Sequence, residues 1–207
     1  MCLLLGNNFL TELISFEFNF HSDDELTDYF VNFLKAMTLR LDNETINFFF
    51  NDRLRTFPLL QAALTLYNSK EQLVRTSVRS IVLTIFGIDN PHMQALFHML
   101  PFAAFYANLA CHLRDLWLQI EIKIEEITAD DQARHMESVI KQAEDANETL
   151  FFIQDLLETT KDINGKVHSQ IKNALLNYAY YPTVIQSLCS LKLKPQLSIQ
   201  TCLYILQ

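Results

Sequence analysis

The strongest constraint on the fold is a pair of amphipathic helices written next to each other in residues 58–86, with about three residues between them. Phe57, Leu60, Leu64 and Tyr67 recur at steps of three and four, which puts them on one helical face. Pro58 suits the first turn, where its missing N–H would have no intrahelical partner. Asn68-Ser69 breaks the pattern, and Ser69 with Gln72 three residues on reads as a capping box. Val74, Val78, Ile81 and Ile85 then form a second stripe. Glu71 stands four residues before Arg75, a solvated pair worth about 0.2–0.5 kcal/mol. So short a link forces the two helices antiparallel, stripe on stripe. Each stripe is wide enough to take a third layer, which is the logic of stacked helical hairpins.

The rest of the chain agrees with an all-α fold. Of 207 residues, half are hydrophobic and only three are glycine, so a sizeable core is available and loop-rich or sheet-rich folds are disfavoured. Helices are expected over 7–18 and 23–41, the second opened by a capping box of Ser22 and Glu25, then over 43–51, 58–67, 70–86 and 91–99, the last started by Asn90-Pro91. Units of two or three short helices describe an armadillo- or HEAT-like array over residues 1–100. Phe48-Phe49-Phe50 covers most of a helical turn, and reads as core between repeats or as a partner groove.

From Pro101 the periods lengthen. Phe102, Tyr106, Leu109, Leu113, Leu116, Ile120 and Ile127 make one series. After Thr128-Ala129-Asp130-Asp131, Met136, Val139, Ala143, Ala146, Leu150, Ile153 and Leu157 make another, out of register with the first. Residues 101–162 are therefore expected to form a long antiparallel helical hairpin. Gly165 falls near the end of its second helix. Residues 163–207 are expected as short helices packing on the same domain, at about 166–180, 182–191 and 195–206, the last two opened by Pro182 and Pro195.

No chemistry of catalysis is written in the sequence. The six histidines show no i, i+4 ligand pattern, and Cys111-His112, adjacent on a helix, point about 100° apart. There is no G-x-S-x-G elbow, and three glycines cannot supply a phosphate-cradling loop. No catalytic, metal-ligating or cofactor-binding residue is expected. Cys2, Cys111, Cys189 and Cys202 have no paired spacing and read as reduced thiols, mostly in the core. The first ten residues lack the basic start of a signal peptide, and the longest apolar run, 99–111, is too short for a membrane span. The reading is cytoplasmic, at most peripheral to membranes.

Charge is unevenly distributed. Residues 121–162 carry twelve acids against Lys123, Arg134, Lys141 and Lys161, whereas 163–207 carry Lys166, Lys172, Lys192 and Lys194 and no acid. The acidic bias disfavours nucleic acid as a partner. Glu137, Glu144, Asp145 and Glu148 read as a docking face for a basic partner or as a solvated helix face. Lys192 and Lys194, near three tyrosines at 178–181, read as a contact for anionic lipid or as pairing with the acidic segment.

Phe57-Pro58-Leu59 and the blocks around it resemble the FPL domain of the Ema-type endosome and autophagy regulators. The similarity starts at Leu4-Leu5-Gly6-Asn7-Asn8 and runs through 18–24, 29–43, Phe48-Phe49-Phe50-Asn51 and 74–84, continuing more weakly to about Leu188. The resemblance implies a non-catalytic helical scaffold that holds protein partners in endosomal and lysosomal trafficking and in autophagy, mitochondrial clearance included. The family's domain begins further upstream, so the chain looks like a partial or unusually short member. Leu3, Leu4, Leu5 and Phe9 would then be exposed and could drive oligomerisation. The rival reading is a peripheral membrane module that binds anionic lipid through its basic C-terminus.

Overall fold

The structure is a computed structural model that describes residues 9–16, 24–50, 55–127, 132–189 and 195–207. Among these residues the ordered elements are helical, with no strand. The chain divides into two compact units, Met1–Leu96 and Phe97–Gln207.

The first unit contains α1 (Phe9–Ile14), α2 (Asp24–Thr38), a 3₁₀ turn (Thr45–Phe49), α3 (Pro58–Thr65), α4 (Gln72–Phe86) and α5 (Pro91–Leu96). Helix α4 packs on α2 and α3, and α3 also touches α1. The α4 stripe of Val74, Val78, Ile81 and Ile85 is buried, joined by Val82 and Phe86. On α3 the sealed positions are Phe57, Leu59, Leu60 and Ala63, with Leu64 only half-buried. Burial between several helices, rather than against α4 alone, widens the apolar face beyond one stripe. Each of the larger side chains among them contributes about 1.5–3 kcal/mol.

Three local expectations in this unit are corrected. The helix expected over 43–51 is one 3₁₀ turn. The Asp42 carboxylate accepts from the backbone N–H of Glu44 (3.0 Å) and of Thr45 (2.8 Å) and from the Thr45 hydroxyl (2.8 Å), which ties the chain into a tight local turn. Within the Phe triplet, Phe49 is buried, Phe50 intermediate and Phe48 63 % exposed, so the three do not form core together. The N-cap of α4 is Glu71, without a side-chain cap. Ser69 lies outside the helix and its hydroxyl accepts from Glu71 N–H (3.2 Å), while the Arg75 guanidinium donates to the carbonyls of Ser69 (3.1 Å) and Lys70 (2.9 Å). Ser22 lies outside the described residues.

Asn90 closes this unit. It is 3 % exposed, and its carbonyl oxygen caps α5 by accepting from the N–H groups of His92 (3.0 Å) and Met93 (3.2 Å). Its amide donates to the carbonyl and side-chain oxygens of Asn43 (both 3.1 Å) and to the side-chain oxygen of Asn47 (3.3 Å). One buried side chain thus joins a helix start to a turn more than forty residues earlier.

The second unit contains α6 (Phe102–Glu125), α7 (Gln132–Ile163), α8 (Gly165–Leu175), a π-helical segment (Leu176–Ile185), α9 (Gln186–Cys189) and α10 (Ile199–Leu206). Helix α6 lies at its centre, packed against α7, α8 and the π segment. Its expected stripe from Phe102 through Ile120 is buried, with Ala110 and Trp117 added. Trp117 meets Tyr180 of the π segment edge to face, ring centres 5.1 Å apart.

Helix α7 is where the expected stripe shifts. Ala146 and Ile153 are buried, but Met136 is 42 % exposed and Val139, Ala143, Leu150 and Leu157 are intermediate. The buried line runs through Gln142, Ala146, Thr149, Ile153, Leu156 and Thr160. Its polar members arrive with partners. Thr149 and Thr160 donate to the carbonyls of Asp145 (2.9 Å) and Leu156 (2.8 Å) one turn back, and Gln142 is held by Gln119 (2.9 Å) and Lys123 (3.0 Å).

Gly165 falls two residues after the end of α7, as expected, and is also the first residue of α8, capped by Asn164, whose side chain accepts from Val167 N–H (3.2 Å). The two later helices start elsewhere than expected. Pro182 opens no helix and sits inside the π segment. Proline has no N–H to give and its ring crowds the carbonyl four residues back, so the wider turn relieves both. The hydroxyl of buried Thr183 donates to the Ala179 carbonyl in the same turn. Helix α10 is opened by Ser198, not Pro195; the Ser198 hydroxyl accepts from Thr201 N–H (3.3 Å) and donates to the buried Glu121 carboxylate (3.1 Å).

Candidate functional site

Helix α7 carries the acidic residues singled out by the sequence. Glu137 and Glu144, seven positions apart, share its outward face and are exposed. Glu148 follows on the same side but is half-buried, and Asp145 is turned toward the flank; both also interact within the fold. The structure therefore brings Glu137, Glu144 and Glu148 onto one face and sets Asp145 apart. Lys192 and Lys194 lie outside the described residues, as do Leu3, Leu4 and Leu5, and the side chain of Phe9 is likewise not described.

The sequence reading missed the apolar part of this face. Ile140 (52 % exposed) and Phe151 (63 %) project outward beside Met136, among the acids. At 100° per residue the three fall within about a sixth of a turn, with Glu144 and Glu158 alongside. Phe151-Phe152 held the available signal: the two point about 100° apart on the helix, and here Phe152 is the buried one.

A cleft of about 220 Å³ lies between α6 and the α8–π stretch, lined by Ala103, Tyr106, Ala107, Gln170, Asn173, Ala174, Asn177 and Tyr178. It holds no carboxylate, imidazole, thiol or amine. Burial pushes the Tyr106 phenol up, and its hydroxyl donates to the Phe97 carbonyl (3.1 Å). Among the described residues no group of three or more His, Cys, Asp or Glu could hold a metal ion, and no helix is long and apolar enough to cross a membrane. Three cysteines are free thiols there, and the expectation that they sit mostly in the core holds only for Cys202: Cys111 is intermediate and Cys189 exposed. Burial pushes the Cys202 thiol above its usual range, with the nearby Glu121 charge adding to the shift.

Residues 1–86 match the family model FPL, described as "Uncharacterised conserved protein". The chain is similar to the Drosophila melanogaster "Protein CLEC16A homolog", 28 % identical over 199 residues that cover 96 % of this chain and 18 % of that protein. The Homo sapiens "Protein CLEC16A" is 26 % identical over 211 residues, 98 % of this chain and 19 % of its own length. The Caenorhabditis elegans "Protein CLEC16A homolog" is 31 % identical over 155 residues, 75 % of this chain and 17 % of its own length. The chain thus spans about a fifth of the length of these curated relatives. No solved structure matches it.

Proposed function

We propose, from the match of residues 1–86 to the FPL family model, that this all-helical chain is a non-catalytic scaffold of endosomal trafficking and autophagy, mitochondrial clearance included. It works by holding protein partners. The first unit is read as an armadillo- or HEAT-like array, and α6 with α7 as a long antiparallel hairpin that presents the docking face. The observation that carries this reading is the outward side of α7, where Met136, Ile140 and Phe151 are exposed among Glu137 and Glu144. Three large apolar side chains aligned on one side of a helix beside two carboxylates suit a face that a partner covers. The partner is a basic amphipathic helix, seated by apolar contact and oriented by charge. The site of action is the cytoplasmic side of endosomal or lysosomal membranes, reached through the partner.

Proximity labelling in cultured cells with the intact chain and with the Glu137→Lys/Glu144→Lys variant tests both parts. The expected labelled set is enriched in endosomal and autophagy proteins, and the variant depletes a subset of it at least threefold. Labelling without such enrichment refutes the cellular role. An identical set for the variant refutes the docking face. Co-sedimentation of the purified chain with phosphatidylserine vesicles, unaffected by both lysine changes but lost when residues 190–207 are removed, would favour direct lipid binding instead.

A further inference from the structure

The cleft between α6 and the α8–π stretch has a lining that points to one ligand chemistry. Gln170, Asn173 and Asn177 stand on one face of the helix at spacings of three and four, and each presents a carboxamide. Ala103, Ala107 and Ala174 contribute only methyl groups, which leaves room between the carboxamides and α6. Tyr178, 47 % exposed, stands at the edge. The Gln170 amide donates only a long, weak hydrogen bond to the His98 carbonyl (3.4 Å). Its oxygen is buried without a hydrogen-bond partner among the described residues. The side chains of Asn173 and Asn177 are exposed and make no hydrogen bond to the described residues. Leaving a buried acceptor unpaired costs about 1–3 kcal/mol, and a ligand N–H would recover that once the carboxamide turns toward the cleft.

A carboxamide carries one acceptor oxygen and two donor hydrogens, the complement of a peptide group. With no charged residue on the lining, a phosphate, a carboxylate or a metal ion finds nothing to neutralise it. The spacing fits as well. Seven helical positions separate Gln170 from Asn177, about 10 Å along the axis. An extended chain covers that distance in about three residues, so the carboxamides of Gln170, Asn173 and Asn177 can meet the main-chain N–H and C=O groups of alternate residues along one of its edges.

We infer that this cleft binds an extended, uncharged peptide segment of a partner protein through its backbone, with Gln170, Asn173 and Asn177 as the contacting residues. The site is separate from the outward face of α7 and stands whether or not that face docks a helix. Recognition is tolerant of sequence because the hydrogen bonds go to main-chain groups, and Tyr178 adds contact with one side chain.

The test uses the intact chain and a library of random uncharged decapeptides, screened in parallel with the Asn173→Ala/Asn177→Ala variant. Hits are titrated by fluorescence anisotropy beside copies methylated at their backbone nitrogens. Binding is expected to weaken at least tenfold in the double variant and at least tenfold on methylation. Ala107→Leu, which fills the cleft and leaves every carboxamide in place, is expected to weaken it as much. Unchanged far-ultraviolet circular dichroism certifies that each variant is folded; if the double variant is not, Ala107→Leu and the methylated peptides decide the matter alone. A library with no hit overturns the inference, as do hits that bind the variants or the methylated copies as tightly as the original pair.

Discussion

At the scale of single residues, buried polar groups in this chain fall into two kinds. Thr160 is 1 % exposed and its hydroxyl serves only its own helix, donating to the Leu156 carbonyl (2.8 Å). Replacing it by the isosteric valine removes a donor and strands nothing, because that carbonyl keeps its helical N–H. Thr160→Val is therefore expected to stay within about 1 kcal/mol of the parent. Asn90 is the opposite case, holding three oxygens of another segment while capping α5. Asn90→Ala removes a cap worth about 1 kcal/mol together with the hydrogen bonds to Asn43 and Asn47, so a loss of about 2–3 kcal/mol is expected. Urea denaturation of the two variants side by side checks both values, and equal losses would contradict the distinction. Asp42 adds a pH dependence. The backbone N–H of Thr45, then its hydroxyl, then the N–H of Glu44 hold this carboxyl below the usual aspartate range. Its contribution to stability is therefore complete above the unfolded value, near pH 4, and lost as pH falls through the lower folded value. Asp42→Asn is expected to flatten the acid limb of the stability curve, and a limb of unchanged slope in urea melts across pH 2–5 would count against it.

At the scale of elements, the boundary between α7 and α8 is the place where a small change should help. Gly165 opens α8 and a Cβ added there meets no atom within 4 Å. Alanine restricts the unfolded chain and favours the helix, so Gly165→Ala is expected to raise stability by about 0.4–1 kcal/mol. Thermal melts that show no gain would mean the first turn of α8 is tighter than its surroundings suggest. The same helices show what the sequence could and could not display. The stripes of α4 and α6 were legible because apolar residues mark their buried faces, Glu121 near the end of α6 excepted. That of α7 was not, because Gln142, Thr149 and Thr160 enter the core with partners of their own, and hydrophobic periodicity counts them as surface. Pro182 misled for a related reason: a proline reads as a helix start, yet a π turn can hold it inside one. Half of the outward α7 face was legible as the acids Glu137 and Glu144. Ile140 and Phe151 were hidden by the shifted register. The carboxamide cleft could not be seen from sequence, since Gln170, Asn173 and Asn177 look like any polar helical face until Ala103 and Ala107 are set opposite them.

At the scale of the whole molecule, the distribution of core residues determines which pieces can fold alone. Between residues 97 and 207, α6 supplies the buried centre and is covered by α7, α8 and the π segment together. Trp117 packs on Tyr180, Glu121 binds Ser198, and Asn147 donates to the Tyr204 hydroxyl (3.1 Å). These contacts join the first half of the unit to residues up to 204. A cut after Ile163 would therefore strip the α8 and π-segment cover from α6 and expose Leu109, Leu113 and Trp117. A cut between Leu96 and Phe97 leaves the unit's internal contacts intact. The fragment of residues 97–207 is accordingly expected to be helical and to unfold in one cooperative urea transition, with a slope of about 1–2 kcal/mol per molar appropriate to its size. The fragment of residues 97–163 is expected to lose that cooperativity and to bind a hydrophobic dye such as ANS. Cooperative unfolding of the shorter piece would show that α6 and α7 suffice as a core, and that the C-terminal helices are an addition to a self-sufficient pair. Loss of cooperativity in both would mean that the second unit needs residues before Phe97 to fold.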